Sequence, residues 1–248
     1  MKFAKLSATG NHFVALWPDD ARGLDLPDFA RKHCSGHDIG ADGVIVPLPA
    51  GGYDFAFTYY NYMGDPVPFC GNAARALPFF ARKMGLVDSD EVRFLANDRA
   101  YAARVGPDGV WLDLGGLNFL EPGEVTVVDA GVRHGVVFVE NLEAADILAL
   151  RERLGSPPFH LNFAEVLSPG MIFVRTLEFG YPEEPLSCAT GAISASLVHA
   201  RENGLREVKI ITKGGRLRAR FAPDFSVIAL FGPVKVVYLG WLVVSPEQ

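Results

Sequence analysis

Cysteine is scarce in this chain: Cys34, Cys70 and Cys188 are the three among 248 residues, an odd number without any C-x-x-C spacing. Such usage excludes a disulfide scaffold and a thiolate zinc site, and it reads as reduced thiols in a cytoplasmic protein. Basic blocks are missing too. Twenty-three Lys and Arg against 29 Asp and Glu give a net charge of −6 spread along the chain, which argues against nucleic acid or an anionic membrane surface as partner. The N-terminal MKFAKLSATGNHF holds Lys5 and no continuous apolar stretch, and the segment Val234 to Val244 is broken by Lys235 and Gly240. Neither a leader nor a membrane span is therefore expected. No H-E-x-x-H, G-x-x-x-x-G-K or helix-opening G-x-G-x-x-G occurs, so neither a metal nor a phosphate cofactor is expected.

What the chain does have is an internal repeat. CGNAARALPFFARKMGL, beginning at Cys70, returns as CATGAISASLVHARENGL at Cys188, and EVRFLANDRAYAARVGPDG at Glu91 returns as EVKIITKGGRLRARFAPDF at Glu207. Two related modules are the simplest account. They are drawn at residues 1–120 and 121–235, with a C-terminal strand near 236–248 completing the first. With 49% hydrophobic residues each can bury a core.

Strand-like runs precede each cysteine, Phe55 to Asn61 and Met171 to Glu178. Further runs are Val92 to Leu95, Tyr101 to Val105, Val110 to Leu114, Val125 to Val128 and Val136 to Val139. The two helices after the cysteines carry almost no charge over their first two turns, as helices do when enclosed on most sides. The pattern predicts an α+β fold in which a sheet wraps a central helix, twice. Asn72 and Thr190 are the N-cap candidates, and Gly85 and Asn203-Gly204 the stops. Pro78 predicts a break or kink near Ala74 to Pro78.

A cysteine just ahead of a helix feels the positive end of the helix dipole and unpaired N–H groups, which favour thiolate over a thiol of ordinary pKa about 8.5. The same N–H groups bind a carboxylate. With the modules face to face, two such helix ends would converge on one anion, an arrangement suited to taking a proton from one face of a carbon and returning one to the other. Cys34 alone reads as a packing residue. Cys70 and Cys188 share a helix-start context followed by small residues, which packing does not require.

These residues resemble the diaminopimelate epimerases, amino-acid epimerases that use neither pyridoxal phosphate nor metal. TGNHFV with Asn11, DIGADGVIV, NYMGDPVPFCGN with its spacing from Asn61 to Cys70, GVRHGVVFV, LNFAEV with Asn162 and VRTLEFGYPEEPLSCATGA are similar to successive family motifs over nearly the whole chain. The resemblance implies strongly curved, mostly antiparallel sheets with the active site in the cleft between the modules. It implies conversion of LL- to meso-diaminopimelate on the way to lysine, no cofactor, a small amino acid as partner, and leaves a homodimer open. By the same resemblance Cys70 and Cys188 are the catalytic thiols, partnered by His134 and Glu178 respectively. Backbone N–H groups at Gly71, Asn72, Ala189 and Thr190 would hold the α-carboxylate, and Asn11, Asn61 and Asn162 would make polar contacts with substrate.

Other readings stand beside these: His134 as a satisfied strand-end residue, Glu178 as a solvated charge, and Asn61 and Asn162 as turn closers. The chain also departs from the family pattern. Phe179 replaces an Arg that grips the distal carboxylate, Val132-Arg133 replaces Asn-Pro, and Tyr181 to Pro185 replaces Val-Gly-Glu-Thr. A phenyl ring cannot take over a bidentate guanidinium contact. Epimerisation is therefore expected to persist while preference for diaminopimelate does not follow. The competing functions are a cysteine hydrolase using Cys70 with His134, and a non-catalytic amino-acid-binding descendant of the fold.

Overall fold

The computed structural model describes residues 1–36, 38–121, 124–181, 183–226 and 228–243. In chain order the first elements are β1 (Lys2–Ala8), β2 (Asn11–Leu16), α1 (Leu26–His33), β3 (Gly43–Leu48), β4 (Phe55–Asn61), α2 (Ala73–Lys83), β5 (Glu91–Ala96), β6 (Arg99–Val105) and β7 (Val110–Gly115). There follow β8 (Asn118–Glu121), β9 (Thr126–Asp129), β10 (Arg133–Phe138), α3 (Ile147–Arg153), β11 (His160–Ser168) and β12 (Met171–Leu177). The chain ends with α4 (Ala189–Asn203), β13 (Glu207–Thr212), β14 (Gly215–Phe221), β15 (Ile228–Gly232) and β16 (Val234–Trp241). Residues Met1–Leu112 with Pro233–Gln248 form one compact unit and Asp113–Gly232 the other. The first boundary falls within β7, eight residues before the sequence-based division at 120; the last strand occupies Val234–Trp241, and 244–248 lie outside the described residues.

Unit 1 is a mixed sheet in the order β16-β1-β2-β3-β4-β5-β6-β7. β16/β1, β1/β2, β3/β4 and β5/β6 pair antiparallel, while β2/β3 and β4/β5 pair parallel. A parallel pair cannot be closed by a hairpin and needs a crossover. α1 and α2 are those crossovers. Unit 2 repeats the plan in the order β8-β9-β10-β11-β12-β13-β14-β15. Its parallel pairs are β10/β11 and β12/β13, bridged by α3 and α4. The sequence repeat is thus a repeat of topology.

Each crossover helix after a cysteine is enclosed by its own sheet. α2 packs on β1, β2, β3, β4, β6 and β16, and α4 on β9 to β14. Every residue of Ala73 to Ala81 and of Ala189 to Ala200 is buried. Contact with strands on so many sides leaves room mainly for Ala, Ser and Gly, which explains the small-residue runs. The buried hydroxyls of Ser194 and Ser196 are answered by the helix itself, donating to the Thr190 and Ile193 carbonyls at 2.8 and 2.9 Å.

Two local expectations are corrected. α2 runs through Pro78 without interruption, because a fully enclosed helix is held by its surroundings even where one backbone hydrogen bond is missing. The N-cap of α4 is Cys188, with extended φ −114° and ψ 111°, and Thr190 lies inside the helix. Asn72 does occupy the N-cap of α2 but makes no capping hydrogen bond with its side chain. Gly85 and Gly204 carry the stops, at φ 72° and 64°. Among the described residues no helix is long and apolar enough to cross a membrane.

The core of unit 1 includes a stack of rings in which Phe94 lies 5.4 Å from Phe55 and 5.6 Å from Tyr101, centroid to centroid. Phe94 is fully buried. Phe94→Ala should therefore cost about 3–5 kcal/mol, read as a lowered urea midpoint at unchanged slope.

Candidate active site

In unit 1 the chain leaves β4 at Asn61 and turns before reaching Cys70. Asn61 closes that turn: its Oδ1 accepts the N–H groups of Met63 and Asp65 at 3.0 and 2.8 Å, and its Nδ2 donates to Asp65 at 3.4 Å. The Cys70 carbonyl then accepts the Ala74 N–H at 2.8 Å, the first hydrogen bond of α2. The amides of Gly71, Asn72 and Ala73 precede that bond and have no acceptor within the helix.

In unit 2 the construction recurs. The Cys188 carbonyl accepts the Ala192 N–H at 2.8 Å, and the amides of Ala189, Thr190 and Gly191 come before it. The Cys188 sulfur lies 3.4 Å from the Thr190 hydroxyl. Both thiols are partly exposed and outside any disulfide, whereas Cys34 is buried. Burial pushes the Cys34 thiol up to about 12, with Asp42 and Asp38 acting in the same direction.

The polar support behind the two thiols differs. Behind Cys70 lies Arg75, fully buried, which donates to Thr9 Oγ1 at 2.9 Å, to the Gly71 carbonyl at 3.3 Å and to Asn72 Oδ1. Asn72 Nδ2 donates in turn to Asn11 Oδ1. Burial lowers the Arg75 guanidinium to about 10, and the neighbouring Cys70 opposes that shift. Its Nη1 is buried without a hydrogen-bond partner among the described residues.

In unit 2 a set of neutral side chains lies beside α4. Asn162, fully buried on β11, donates from Nδ2 to the Gly135 carbonyl at 3.0 Å and to His134 Nδ1 at 3.1 Å, and accepts from Thr176 Oγ1 at 2.9 Å. Asn162 also abuts α4, since a Cβ on Gly191 would lie 1.9 Å from its Oδ1. With both amide hydrogens engaged, Asn162 supports His134 rather than closing a turn. Because His134 Nδ1 accepts, its ring proton sits on Nε2, which is buried without a partner among the described residues. Burial, reinforced by His160 stacked 5.0 Å away, lowers His134 to about 3.

Glu178 follows β12 directly and is partly exposed, its carbonyl accepting the Tyr181 N–H at 3.3 Å. The next amide, that of Phe179, donates to His160 Nδ1 at 2.9 Å. The departures at Phe179, at Arg133, which opens β10 beside His134, and at Val132 just before it thus border one histidine cluster; Pro182 lies outside the described residues. A cavity of about 720 Å³ in unit 2, lined by Glu140, Glu165, Arg175 and Lys213 among others, holds none of the site residues expected from sequence. Among the described residues no cluster of His, Cys, Asp and Glu is arranged to hold a metal.

Sequence reasoning missed Arg75, Asp42, Thr176 and His160. Arg75 had a signal, as the one charge in the buried run of α2. Asp42 and Thr176 lie within the quoted motifs DIGADGVIV and VRTLEFGYPEEPLSCATGA, whereas His160 had no signal.

Comparison with known proteins comes out on one side. No protein-family model matches the chain. It is 33% identical over 246 residues to the diaminopimelate epimerase of Campylobacter jejuni subsp. jejuni strain 81-176, covering 96% of this chain and 97% of that one. In fold it is similar to the Bacillus anthracis phenazine biosynthesis protein of the PhzF family, with a TM-score of 0.75 at 12% identity over 98% of this chain and 99% of the other. It is also similar to a hydroxyproline epimerase from Agrobacterium vitis with bound trans-4-hydroxy-L-proline, with a TM-score of 0.67 at 14% identity over 97% and 91%.

Two outcomes follow from this chemistry. Brief iodoacetamide treatment near pH 8, read by peptide mass spectrometry, should label Cys70 and Cys188 and spare Cys34, whose thiol is buried and protonated. His134, lowered to about 3, takes up no proton between pH 6.5 and 3 when folded, whereas the unfolded chain does. Stability should therefore fall with pH across that window, by about 1.4 kcal/mol per unit from this group, and less steeply in His134→Gln when urea midpoints are compared from pH 7 to 5.

Proposed function

Since the chain belongs to the diaminopimelate epimerase family, we propose that this isomerase inverts the α-carbon of an amino acid with Cys70 and Cys188 as its two acid/base groups. The observation that carries the reading is the matched construction at the two thiols. In each unit a partly exposed cysteine opens an enclosed helix, its carbonyl takes the first helical hydrogen bond, and three amides are left over.

Removal of an α-proton leaves a carbanion whose charge spreads into the carboxylate. The amides after each cysteine, at Gly71 and Asn72 and at Ala189 and Thr190, are the groups that hold that carboxylate and steady the developing charge. One cysteine, as thiolate, takes the α-proton and becomes a thiol. The other, as thiol, delivers its proton to the opposite face and becomes a thiolate, so the enzyme emerges with the two states exchanged. Both sulfurs must stay reduced for turnover, which supports a reducing compartment such as the cytoplasm.

His134 serves as a neutral donor through Nε2–H, since burial keeps it uncharged, and Glu178 as the carboxylate partner of Cys188. Asn11 and Asn72 contact the substrate, and Asn162 acts through His134. A hydrolase built on Cys70 alone would leave the same construction at Cys188 without a role.

The substrate end that varies among amino acids is met where the chain departs from its family, at Val132, Arg133 and Phe179. Exposed apolar groups at Val132 and Phe179 favour amino acids with apolar or aromatic side chains over one with a second carboxylate. Incubating diaminopimelate isomers and a panel of L-amino acids in deuterium oxide and scoring label at the α-carbon tests both halves of the proposal. Wash-in is expected in the wild type and should fall by roughly 10²–10⁴-fold in Cys70→Ala and in Cys188→Ala. Wild-type wash-in surviving both substitutions defeats the two-thiol mechanism, and wash-in confined to diaminopimelate defeats the substrate preference.

A further inference from the structure

Arg75 and Asp42 are absent from the proposed machinery, yet each is bound to a residue within it. A single line of hydrogen bonds runs from Arg75 Nη2 to Asn72 Oδ1, from Asn72 Nδ2 to Asn11 Oδ1, and from Asn11 Nδ2 to Asp42 Oδ2 at 3.2 Å. A guanidinium only donates, and a carboxylate only accepts. Each end therefore dictates which way round its neighbouring amide sits, and each amide passes that choice to the next.

This matters because a primary amide turned by half a rotation has nearly the same shape, so packing does not distinguish its nitrogen from its oxygen. Facing Arg75, Asn72 must present oxygen, which turns its nitrogen to Asn11. Facing Asp42, Asn11 must present nitrogen, which turns its oxygen to Asn72. The two demands agree. Reversing Asn72 would set donor against donor at Arg75, and reversing Asn11 would set acceptor against acceptor at Asp42.

Both ends are themselves anchored. Asp42 Oδ2 also accepts the His12 N–H at 2.6 Å, while the Asp42 backbone donates to the His12 carbonyl at 2.8 Å and accepts from Tyr62 at 2.9 Å. Arg75 is fixed by Thr9 and the Gly71 carbonyl. Among the described residues no carboxylate forms an ion pair with Arg75, so a salt bridge does not account for a fully buried guanidinium at this position.

On the reading that Asn11 and Asn72 meet the substrate, we infer that Asp42 and Arg75 are positioning residues for amino-acid recognition, acting through Asn11 and Asn72 by setting the orientation of their amides. Asp42→Asn keeps the shape of the end group but lets it donate, which frees Asn11 to turn. Asn72→Asp keeps an acceptor for Arg75 but can no longer donate to Asn11, breaking the line from the other side.

The test measures α-deuterium wash-in kinetics on the full-length wild type, D42N, N72D, N11A and D42N/N11A, using the amino acid that the wild type exchanges fastest, with thermal melts as a check of folding. D42N should raise KM about tenfold or more with kcat within about threefold of wild type, and N72D should raise KM by at least as much. D42N should add nothing once Asn11 is alanine, because its effect passes through that amide. A folded D42N or N72D with wild-type KM overturns the inference, as does N11A with wild-type KM or additivity in the double variant. Should D42N fail to fold, N72D decides. A wild type that exchanges no amino acid at all overturns the epimerase reading and this inference with it, whereas an active wild type with an indifferent D42N overturns the inference alone.

Discussion

The first three amides of an α-helix have no acceptor inside the helix, and a helix enclosed by a sheet from its first residue cannot simply turn them to bulk water. Both α2 and α4 are in that position, buried from Ala73 and from Ala189 onward. The groups after Cys70 and Cys188 are accordingly a consequence of the architecture: a crossover helix that must lie against many strands begins at a sulfur and leaves donors beside it. On the proposed reading an anion is what such a place accommodates, with the thiol already adjacent. Alanine, serine and glycine predominate in α4 and open α2, where the strands come close, while Arg75, Leu77 and Phe80 fill the wider gaps around α2.

Duplication copied the topology but left the polar support free to diverge. In unit 1 a buried cation, Arg75, stands behind the first thiol and is answered by oxygen atoms of Thr9, Gly71 and Asn72. In unit 2 a neutral histidine, an asparagine and a threonine occupy the interior next to α4. A reaction that exchanges the protonation states of two thiols does not need identical surroundings for them. It needs surroundings that let each hold either state. Arg75 Nη1 and His134 Nε2 are buried polar atoms without partners among the described residues, and such exceptions are uncommon in folded proteins. Both belong to side chains close to the proposed chemistry.

Much of the frame was legible along the chain. Phe55–Asn61 is a strand to the residue, and the runs expected from Val92 to Val128 lie within one or two residues of β5, β6, β7 and β9, because short β-branched and aromatic runs between turns leave few alternatives. β10 starts at Arg133, three residues before the expected Val136. Pro78 misled because propensity describes an isolated helix, while α2 is confined by the sheet around it. Thr190 misled because the extended backbone of Cys188 places the helix start two residues earlier. Asn61 and Asn162 show the limit most plainly: the same residue type closes a turn in one case and holds a histidine in the other, and only the neighbours differ.

The sequence by itself determined the twofold repeat, the thiol at the start of each enclosed helix and the family, since all of these depend on residues close together along the chain. Only the tertiary structure decided how the polar groups face one another. Thr9, Asn11, Asp42, Asn72 and Arg75 come from separate segments, and they meet only when β2 and β3 pair in parallel and α2 packs beneath them. A hydrogen bond is directional over about 3 Å, so its existence and sense are set by the last stage of packing, which no local pattern of residues can specify.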